Sequence, residues 1–349
     1  ELWHGPTCAF KDMALQMLPY LLTASLKKTG EEKTACILVA TSGDTGKAAL
    51  EGFRDVDRTK ILVFYPKDGV SDIQKLQMVT QEGENTGVCA VIGNFDDAQT
   101  GVKRIFSDPV LRERLAADGK LLSSANSINW GRVLPQIVYY ISAYCDLLAS
   151  GAIRMGEKID FCVPTGNFGN ILAAYYAKRM GLPVGKLICA SNSNDVLTEF
   201  IRTGVYDRNR PFHATMSPSM DILISSNLER LLYLLSGSDE AVRGYMRQLS
   251  ETGRYAVTPE LHAKIQESFA CGCCDEASTA ETIGRVFKER SYLIDTHTAV
   301  AWNVLERYRR ESGSRSMSVV VSTASAFKFC ASVLTALGVE KQAEGTQIL

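Results

Sequence analysis

The chain reads Asp160-Phe-Cys-Val-Pro-Thr-Gly-Asn-Phe-Gly-Asn170 near its middle. A short apolar run (residues 159–163) meets a small glycine-bearing loop (165–170), and a helix-forming stretch (171–180) follows directly. This order predicts a strand, a loop and a helix. The N–H groups of a first helical turn have no partner within the helix, and the helix dipole is positive there. Such a loop is therefore suited to bind an anion such as phosphate.

The composition of this loop narrows the choice of anion. Gly166 and Gly169 lack Cβ, which lets the backbone approach a ligand closely. The loop has no Gly-Lys-Ser/Thr ending, so it is not a nucleoside-triphosphate P-loop. A dinucleotide site would have Gly-x-Gly-x-x-Gly and an acidic residue after the next strand, where this chain has Ser191 and Asn192. By itself the loop could be a phosphate site or an ordinary strand-to-helix turn.

Strand-like and helical segments alternate along the chain. The predicted strands cover residues 35–40, 60–65, 88–92, 159–163, 187–190 and 317–323, and residues 121–129 are predicted as a strand that runs into a polar turn. The predicted helices cover residues 12–28, 47–54, 71–81, 95–116 with a break at Pro109, 132–148, 171–180, 228–235, 240–252, 279–290, 297–311 and 327–337. Strands that are apolar on both faces indicate a parallel α/β sheet covered by helices. The segment 192–230 is expected to be rich in turns, and the linker 151–158 is the predicted boundary between two domains.

Composition and charge exclude several classes of protein. Hydrophobic residues make up 46% and charged residues 22%, as in ordinary globular proteins. The net charge of −1 leaves no electrostatic footprint for nucleic acid or an anionic membrane. Pro19 and Asp146 interrupt the longest apolar stretches short of the ~20 residues that span a bilayer. The opening Glu-Leu-Trp-His contains no secretory core, so we expect a cytoplasmic enzyme.

The chain contains ten cysteines. Most lie inside apolar runs, where we expect them to behave as small hydrophobic residues: Cys36, Cys89, Cys145, Cys162, Cys189 and Cys330. Without a secretion signal, reduced thiols are expected and no disulfide framework is implied. Cys271-Gly-Cys273-Cys274 is the one cluster. A zinc site there would need a fourth ligand, for which His262 is the nearby candidate, so we interpret the cluster as a loop or helix start and predict no metal.

Two further segments carry chemistry that suits a phosphate loop. Lys11 follows an aromatic residue just ahead of a helix, where desolvation would make its amine a Schiff-base former; the alternative is a helix-start lysine pointing to water. The turn 41–46, Thr-Ser-Gly-Asp-Thr-Gly, follows a buried strand and suits a second anion; the alternative is an ordinary capped turn. A reactive amine, a phosphate cradle and a second oxyanion site together indicate pyridoxal phosphate chemistry on an anionic substrate.

Here the sequence resembles a known family, threonine synthase. The segments that carry the resemblance run in the family's order across nearly the whole chain: Lys11 with its flanks, Ser42-Gly-Asp-Thr-Gly46, Ser124-Ala-Asn-Ser-Ile-Asn129 followed by Arg132, Pro164-Thr-Gly-Asn-Phe-Gly-Asn170, Ser219-Met-Asp-Ile222 and Thr323-Ala324.

The resemblance implies a fold and a reaction. The fold would be α/β, with two open, mostly parallel twisted sheets flanked by helices, the tryptophan synthase β-like arrangement of pyridoxal phosphate fold type II. Residues 1–150 would carry the lysine and the substrate-phosphate site, and residues 151–349 would bind the cofactor phosphate, with the active site in the cleft between them. The reaction would convert O-phosphohomoserine and water to L-threonine and phosphate, the last step of threonine biosynthesis and a carbon–oxygen lyase reaction.

The resemblance also implies roles for individual residues. Lys11 would carry pyridoxal 5'-phosphate covalently and act as the base at Cα and Cβ. The cofactor phosphate would be bound by the loop Gly166, Asn167, Phe168, Gly169 and Asn170, and Thr323 would offer its hydroxyl to the pyridine nitrogen. The substrate phosphate would be held by Ser42, Thr45, Asn126, Ser127, Asn129 and Arg132. Asp44 would lie close to the ring without an assigned role.

This chain departs from the family pattern in two places. Family members usually carry a further segment ahead of the lysine motif, whereas Lys11 stands near the start of this sequence. The family also often has His-Pro after Thr-Ala, where this chain has Ser325-Ala326. The second departure puts the shape of that loop in doubt more than the contact of Thr323 with the cofactor.

Several rival functions remain open at this point. A threonine-synthase-like phospholyase would use the same cofactor and substrate but release 2-oxobutyrate; the pair Asn167-Phe168 favours the synthase. A serine or threonine dehydratase has no need of a substrate-phosphate pocket, so Arg132 and its neighbours count against it. The chain could also be an inactive fragment or a module that binds a phosphorylated ligand. The sequence does not predict the oligomeric state.

Overall fold

A computed structural model describes residues 2–340, which form two compact units, 2–135 and 136–340. The sequence places the domain boundary in the linker 151–158, whereas the compact units divide after Pro135. Each unit is an α/β layer structure in its own right, so each can be described by itself. No helix among residues 2–340 has the length and apolar character needed to cross a membrane.

The first unit is built on a four-stranded parallel sheet in the order β3-β2-β1-β4. Its strands are β1 (Thr34–Ala40), β2 (Thr59–Pro66), β3 (Thr86–Val91) and β4 (Lys120–Ser124). Its helices are α1 (Lys11–Lys28), α2 (Asp44–Phe53), α3 (Asp72–Val79), α4 (Phe95–Ser107), α5 (Pro109–Ala117) and α6 (Trp130–Val133). Parallel strands need crossover connections, and α2 and α3 supply two of them.

The core of the first unit lies between its sheet and the helices α1 and α2. Ile37 and Val39 of β1 pack with Leu50 and Phe53 of α2, all essentially inaccessible to solvent. Each such side chain contributes roughly 1.5–3 kcal/mol by burial. A Cβ on Gly52 of α2 would lie 2.1 Å from a backbone oxygen of α1, so this glycine permits the close approach of the two helices. The packing thereby fixes α1, which begins at Lys11, against the C-terminal turn of α2.

The second unit contains another four-stranded parallel sheet, in the order β10-β5-β6-β9. Its strands are β5 (Ile159–Pro164), β6 (Val184–Ser191), β9 (Phe269–Cys273) and β10 (Ser318–Val320), and β7 (Val205–Asp207) pairs separately and antiparallel with β8 (Arg254–Ala256). Its helices are α7 (Ile137–Ala149), α8 (Gly169–Arg179), α9 (Val196–Thr203), α10 (Leu228–Ser236), α11 (Asp239–Thr252), α12 (Pro259–Ser268), α13 (Glu276–Arg290), α14 (Thr296–Ser312) and α15 (Cys330–Ala336).

The second unit buries both faces of its sheet. Every residue of β5 is buried, and Ile188, Cys162 and Val300 belong to one apolar cluster against α14. A second cluster joins α13, α14 and α15 around Ile283 and Phe329. This burial on both faces is what the continuous apolar strands of the sequence indicate.

Several sequence predictions need correction at the level of single elements. The predicted helix 132–148 is interrupted: α6 ends at Val133, a 3₁₀ turn covers Leu134–Gln136, and α7 follows. Pro135 explains the interruption, because proline removes a helical hydrogen bond. The segment 192–230 contains α9 and β7 as well as turns. The final strand, predicted over 317–323, covers only Ser318–Val320, so Thr323 lies in the turn after it.

Candidate active site

The loop 165–170 joins the end of β5 to the start of α8. Phe168 stands at the N-cap in the left-handed conformation (φ 61°), and its side chain makes no capping hydrogen bond to the helix. Its ring is buried and packs against Phe269, with 5.6 Å between ring centroids. Phe168 therefore anchors the loop in the core, and its predicted contribution to an anion would come from its backbone.

The carbonyl groups of this loop are held on one side. Ser225 donates its hydroxyl to the Gly166 carbonyl at 2.9 Å, and the side-chain amide of Asn227 donates to the Asn167 carbonyl at 2.9 Å. In a planar trans peptide the N–H points away from the carbonyl. The N–H groups of Asn167 and Phe168 are thus turned away from the segment that holds these carbonyls, as an anion at the helix N-terminus requires.

Gly166 is required by a close backbone approach. A Cβ at this position would lie 2.8 Å from the Ser219 carbonyl oxygen and 3.2 Å from Met220 Cα. At Gly169 the nearest atom, on Asn227, would be 3.5 Å away, an ordinary contact. The two glycines therefore have different roles. Gly166 accommodates the neighbouring 3₁₀ turn Pro218–Met220, and Gly169 is the first residue of α8.

Asn170 is buried, and the described residues satisfy only part of its side chain. The Tyr140 hydroxyl lies 2.6 Å from Asn170 Oδ1 and 3.0 Å from its carbonyl oxygen; both are acceptors, so Tyr140 donates. Burial holds the pKa of Tyr140 well above its usual value, which keeps this donor protonated. Within residues 2–340 the buried Nδ2 of Asn170 has no hydrogen-bond partner. An acceptor bound at the loop would satisfy it.

Thr323 follows β10, which is the neighbour of β5 in the parallel sheet. The ladder continues one step beyond the strand, since Val321 donates its N–H to the Cys162 carbonyl at 2.9 Å. Thr323 is buried. The carboxyl ends of parallel neighbouring strands lie on the same side of a sheet. The segment that bears Thr323 and the loop 165–170 therefore both follow the sheet on that side.

Lys11 is the first residue of α1 and only 9% exposed. Its Nζ lies over the Phe10 ring, 4.5 Å from the centroid. The alternative of a lysine pointing to water is therefore wrong. Asp12 organises the turn ahead of it: the carboxylate accepts the Thr7 N–H at 3.0 Å, the Ala9 N–H at 3.3 Å and the Thr7 hydroxyl.

The turn 41–46 leaves the end of β1 and starts α2. Thr41 Oγ1 accepts the N–H groups of Gly43 at 3.0 Å and Gly46 at 2.9 Å, which closes the turn. Gly43 is the N-cap, with φ 133° and no side-chain capping bond, and Ser42 and Thr45 are half-buried on either side of it. Thr41 thus takes up two N–H groups of this turn, and the binding of an anion at the start of α2 stays a prediction.

Asp44 lies in that first turn and is held by a residue from another helix. The Gln74 side chain, on α3, donates to Asp44 Oδ1 at 3.0 Å and accepts the Ser71 N–H at 3.2 Å. Both side chains are buried. Gln74 thus sets the position of the carboxylate whose role the sequence leaves open.

Three of the predicted substrate-phosphate residues of the β4–α6 turn donate to backbone carbonyls of neighbouring residues. Asn126 donates to the Ala40 carbonyl at 2.9 Å and Asn129 donates to the Ser124 carbonyl at 2.8 Å. Ser127 lies between them, half-buried. Arg132 is 2% exposed and donates from Nη1 to the Ala125 carbonyl at 2.6 Å. These side chains shape the turn, and their contact with a phosphate stays a prediction.

Within each unit, two turns that carry predicted site residues follow the carboxyl ends of neighbouring parallel strands. In the first unit, β1 and β4 are parallel neighbours, and the Asn126 bond to Ala40 joins the two turns directly. In the second unit, β5 and β10 bring the loop 165–170 and the turn of Thr323 to the same edge. Ligands of open α/β sheets bind at such carboxyl ends.

Residues 1–266 match the model of the family described as pyridoxal-phosphate dependent enzyme. Threonine synthase of Saccharomyces cerevisiae is 38% identical, over 97% of this chain and 68% of its own length. The pyridoxal-phosphate-bound threonine synthase structure from Brucella melitensis is 41% identical with a TM-score of 0.87, covering 100% of this chain and 72% of that one. The chain belongs to the threonine synthase family.

Two other matches differ in sequence identity and in how much of each chain they cover. Threonine synthase-like 1 of Homo sapiens is 44% identical over 98% of this chain, and the chain spans 46% of the length of that relative. The threonine deaminase structure from Solanum lycopersicum, at 15% identity and a TM-score of 0.58 over 95% of this chain and 75% of that one, shows the fold alone. The predicted fold, two mostly parallel sheets of pyridoxal phosphate fold type II, is confirmed.

The cofactor of the threonine synthase family is pyridoxal phosphate, and the loop of the second unit fits its phosphate. The loop offers outward N–H groups at an uncapped helix N-terminus and the Asn170 Nδ2 donor, and it presents no acidic side chain. A phosphate accepts hydrogen bonds from such donors and gains from the helix dipole.

The cysteine cluster belongs to the sheet and not to this site. Cys271 and Cys273 lie in β9, so the interpretation as a loop or helix start is wrong. Cys271 Sγ contacts the Thr198 carbonyl, and Cys274 Sγ contacts Thr279 Oγ1. No group of three or more His, Cys, Asp or Glu side chains within residues 2–340 could hold a metal ion. Cys89 and Cys145 are exposed, contrary to the expectation that they pack as small hydrophobic residues.

Sequence reasoning missed the side chains that hold the segments around the site loops in place by hydrogen bonds. The clearest is Asp221, which accepts from Asn192 at 2.7 Å, Asn194 at 3.0 Å, and the Thr215 hydroxyl at 2.7 Å. It lies in the Ser219–Ile222 segment that carries the family resemblance, and that position was the available signal. Asp12, Gln74 and Asn227 have similar supporting roles, and their local sequence gives no signal, because their partners are distant in sequence or are backbone groups.

Proposed function

We propose that this chain converts O-phosphohomoserine and water to L-threonine and phosphate. The observation that supports it best is a second group of potential phosphate donors, in a family whose cofactor already carries one phosphate. In the first unit, the start of α2 and the buried guanidinium of Arg132 lie after two neighbouring strands, β1 and β4, that the Asn126–Ala40 bond also links. A substrate with its own phosphate needs such a site, whereas a dehydratase substrate does not.

Lys11 is proposed to carry the cofactor and to move protons at Cα and Cβ of the substrate. Pyridoxal phosphate, when bound, supplies an electron sink next to the amine of the amino acid. Lys11 is suited to proton transfer because it is buried at the rigid start of α1, behind a turn fixed by Asp12. The loop 166–170 would bind the cofactor phosphate, and Thr323 would donate its hydroxyl to the ring nitrogen.

The remaining residues are proposed to hold the departing phosphate. Arg132 supplies a planar fork of donors, which matches phosphate geometry, and its burial strengthens the interaction. Ser42 and Thr45 stand at the start of α2, where N–H groups and the helix dipole add to the attraction. Asn126, Ser127 and Asn129 complete the set, each amide retaining a second N–H beyond the one that its backbone partner uses.

A second candidate is a phospholyase reaction that gives 2-oxobutyrate from the same substrate. It is kept because relatives with 43–44% identity are named threonine synthase-like 1 and not threonine synthase. The two reactions would use the same lysine and the same substrate-phosphate residues, and they differ in whether water adds at Cβ.

Incubation with O-phosphohomoserine, followed by analysis of threonine against 2-oxobutyrate, decides between these reactions. Threonine with equal phosphate supports the synthase; 2-oxobutyrate supports the phospholyase. If neither product forms while phosphate-free threonine is deaminated, both proposals are wrong.

Borohydride reduction tests the role of Lys11 independently of turnover. We expect the visible absorbance of the bound cofactor to be lost. The reduced cofactor then serves as a covalent label, and we expect to find it on the peptide that contains Lys11. Lys11→Ala should abolish the label, and Lys28→Ala, an exposed lysine of the same helix, should leave it unchanged. A label on another lysine in the unaltered chain would contradict the assignment.

A further inference from the structure

The N-terminal turn of α14 contains a buried Asp–His pair that the proposed reaction does not use. Asp295 is the N-cap, and its Oδ1 lies 2.9 Å from the His297 backbone N and 3.0 Å from His297 Nδ1. Asp295 is 2% exposed and His297 is 1% exposed. An N-cap needs only the first of these contacts, so the hydrogen bond to the imidazole ring is additional to the capping of the helix.

The other ring nitrogen of His297 faces the Ser219–Met220 segment. Ser219 donates its backbone N–H to His297 Nε2 at 3.2 Å. A carboxylate only accepts and an N–H only donates, so both contacts are satisfied together by the neutral ring with its proton on Nδ1. Asp295 thus fixes the tautomer that lets His297 accept from Ser219.

Ser219 in turn lies directly against the loop 166–170. Its carbonyl oxygen would be 2.8 Å from a Cβ on Gly166, and Met220 Cα would be 3.2 Å from it. The backbone of Ser219 therefore donates its N–H to His297 on one side and packs its carbonyl oxygen against Gly166 on the other. A shift of Ser219 would leave Gly166 without the backbone that it packs on.

The same turn of α14 also reaches the segment that bears Thr323. Thr298 Oγ1 lies 3.3 Å from Ser322 Oγ and donates to Asp295 Oδ2. The His297 ring meets Phe329 edge-on, with 5.0 Å between centroids. The residues Asp295, His297 and Thr298 therefore contact the supports of both loops that are predicted to bind the cofactor in this unit.

We propose that the Asp295–His297 pair is a positioning device for the cofactor-phosphate loop. His297 accepts the Ser219 N–H, and the Ser219 carbonyl and Met220 Cα pack against Gly166, which precedes the N–H donors of the loop. The inference rests on the proposed role of the loop 166–170 in binding the cofactor phosphate. The contact of His297 with Ser219 leads only to the phosphate loop, so its loss should weaken binding of the cofactor phosphate and not of the pyridine ring.

Two substitutions separate the two contacts of the ring. His297→Asn places an amide donor near the position of Nδ1 and removes the acceptor for Ser219, whereas His297→Gln can return an acceptor oxygen near the position of Nε2. The reference is Asn170→Ala, which removes a predicted phosphate donor directly. The control is His262→Asn, which removes another histidine contact in the same unit, from His262 Nε2 to the Ile201 carbonyl at 3.0 Å.

The readout is the affinity of the cofactor-free chain for pyridoxal 5'-phosphate and for pyridoxal, which lacks the phosphate. We expect His297→Asn to weaken binding of pyridoxal 5'-phosphate about tenfold, to leave binding of pyridoxal within twofold, and to shift the ³¹P resonance of the bound phosphate. His297→Gln should recover most of the affinity, and His262→Asn should not change the ratio of the two affinities.

The possible failures are distinguishable. If His297→Asn weakens both ligands equally, or His297→Gln rescues nothing, the pair has only a structural role and the inference is wrong. If Asn170→Ala leaves the preference for the phosphorylated ligand intact, the assignment of the loop is wrong and the inference falls with it. Threonine formation could still be observed in the first case, so the reaction is tested separately.

Discussion

Tyr140 and Asn170 form the residue pair on which the phosphate loop depends most directly. The Tyr140 hydroxyl donates to the Asn170 carboxamide oxygen at 2.6 Å, and this bond sets which way the amide faces. With Oδ1 held, Nδ2 points to a position where the described residues supply no acceptor. A buried donor left unsatisfied costs about 1–3 kcal/mol, which a bound phosphate would recover.

Tyr140→Phe is therefore expected to weaken the binding of pyridoxal 5'-phosphate about fivefold, because the net value of one hydrogen bond is about 1 kcal/mol. Without the phenol, the Asn170 amide can rotate and no longer presents its donor consistently. Titration of the cofactor-free chain, followed by visible absorbance, measures the change.

The matched control is Tyr144→Phe on the same helix. The Tyr144 hydroxyl accepts the Gly156 N–H at 3.0 Å and lies 3.2 Å from the Glu157 carbonyl, so it makes comparable bonds away from the loop. This variant should bind the cofactor as the unaltered chain does. Equal affinities of the two variants would contradict the role given to Tyr140.

At this scale the sequence predicts which residue types carry chemistry but not their supports. Lys11 and the loop 166–170 were identifiable, because an amine beside an aromatic residue and glycines before a helix have local signatures. Tyr140 had no such signature: its partner Asn170 lies far along the chain, and the apolar helix around it indicates only burial. Asn126 and Asn129 were predicted as phosphate ligands, and the structure shows that they first bond to backbone carbonyls.

In the turn between β5 and α8, the backbone around Gly166 leaves no room for a side chain. Gly166→Ala would bring Cβ within 2.8 Å of a backbone oxygen that cannot rotate away. Overpacking of this kind typically costs 1–3 kcal/mol. Urea unfolding of the cofactor-free chain should show a lower free energy of unfolding for Gly166→Ala and a change of about 0.5 kcal/mol or less for Gly169→Ala. Equal losses would show that Ser219 can move aside.

The helix α3 supports the second anion site through one side chain. Gln74→Leu keeps the volume but removes the donor to Asp44, leaving a buried carboxylate without that bond. We expect the free energy of unfolding to fall by about 1–3 kcal/mol. Gln77→Leu is the matched control on the same helix, since Gln77 Oε1 has no partner among the described residues. A loss as large for Gln77→Leu would contradict the role of Gln74.

Elements with a continuous apolar run or helical periodicity were predictable from the sequence, and short or mixed ones were not. The strands β1, β2 and β5 lie where their apolar runs predict them, because burial on both faces leaves no polar alternation to confuse the pattern. The strand β9 was missed: Phe-Ala-Cys-Gly-Cys is short and rich in small residues, and only pairing with β6 makes it a strand. The helices α9 and α12 were missed among polar and turn-forming residues.

Two thiols and two phenols of the second unit are buried: Cys162, Cys189, Tyr140 and Tyr206. Burial raises the pKa of the Cys162 and Cys189 thiols above the ordinary value of 9.0, in both cases chiefly by desolvation. Tyr140 and Tyr206 show the same direction from 10.0. In each case the folded chain keeps a proton that the unfolded chain loses at lower pH.

The sign of the resulting pH dependence is fixed. Below about pH 9 both states hold these protons and stability is unaffected; as pH rises further the unfolded state binds fewer protons, and the free energy of unfolding falls. Each thiol contributes at most ~1.4 kcal/mol per pH unit. Urea unfolding of the second unit between pH 8 and pH 10.5 should therefore show a loss that Cys162→Ala and Cys189→Ala each reduce. Cys145→Ala, at an exposed position, should leave the slope unchanged. A slope insensitive to both buried substitutions would mean that these thiols are reached by water in the folded chain, contrary to the packing of β5 and β6.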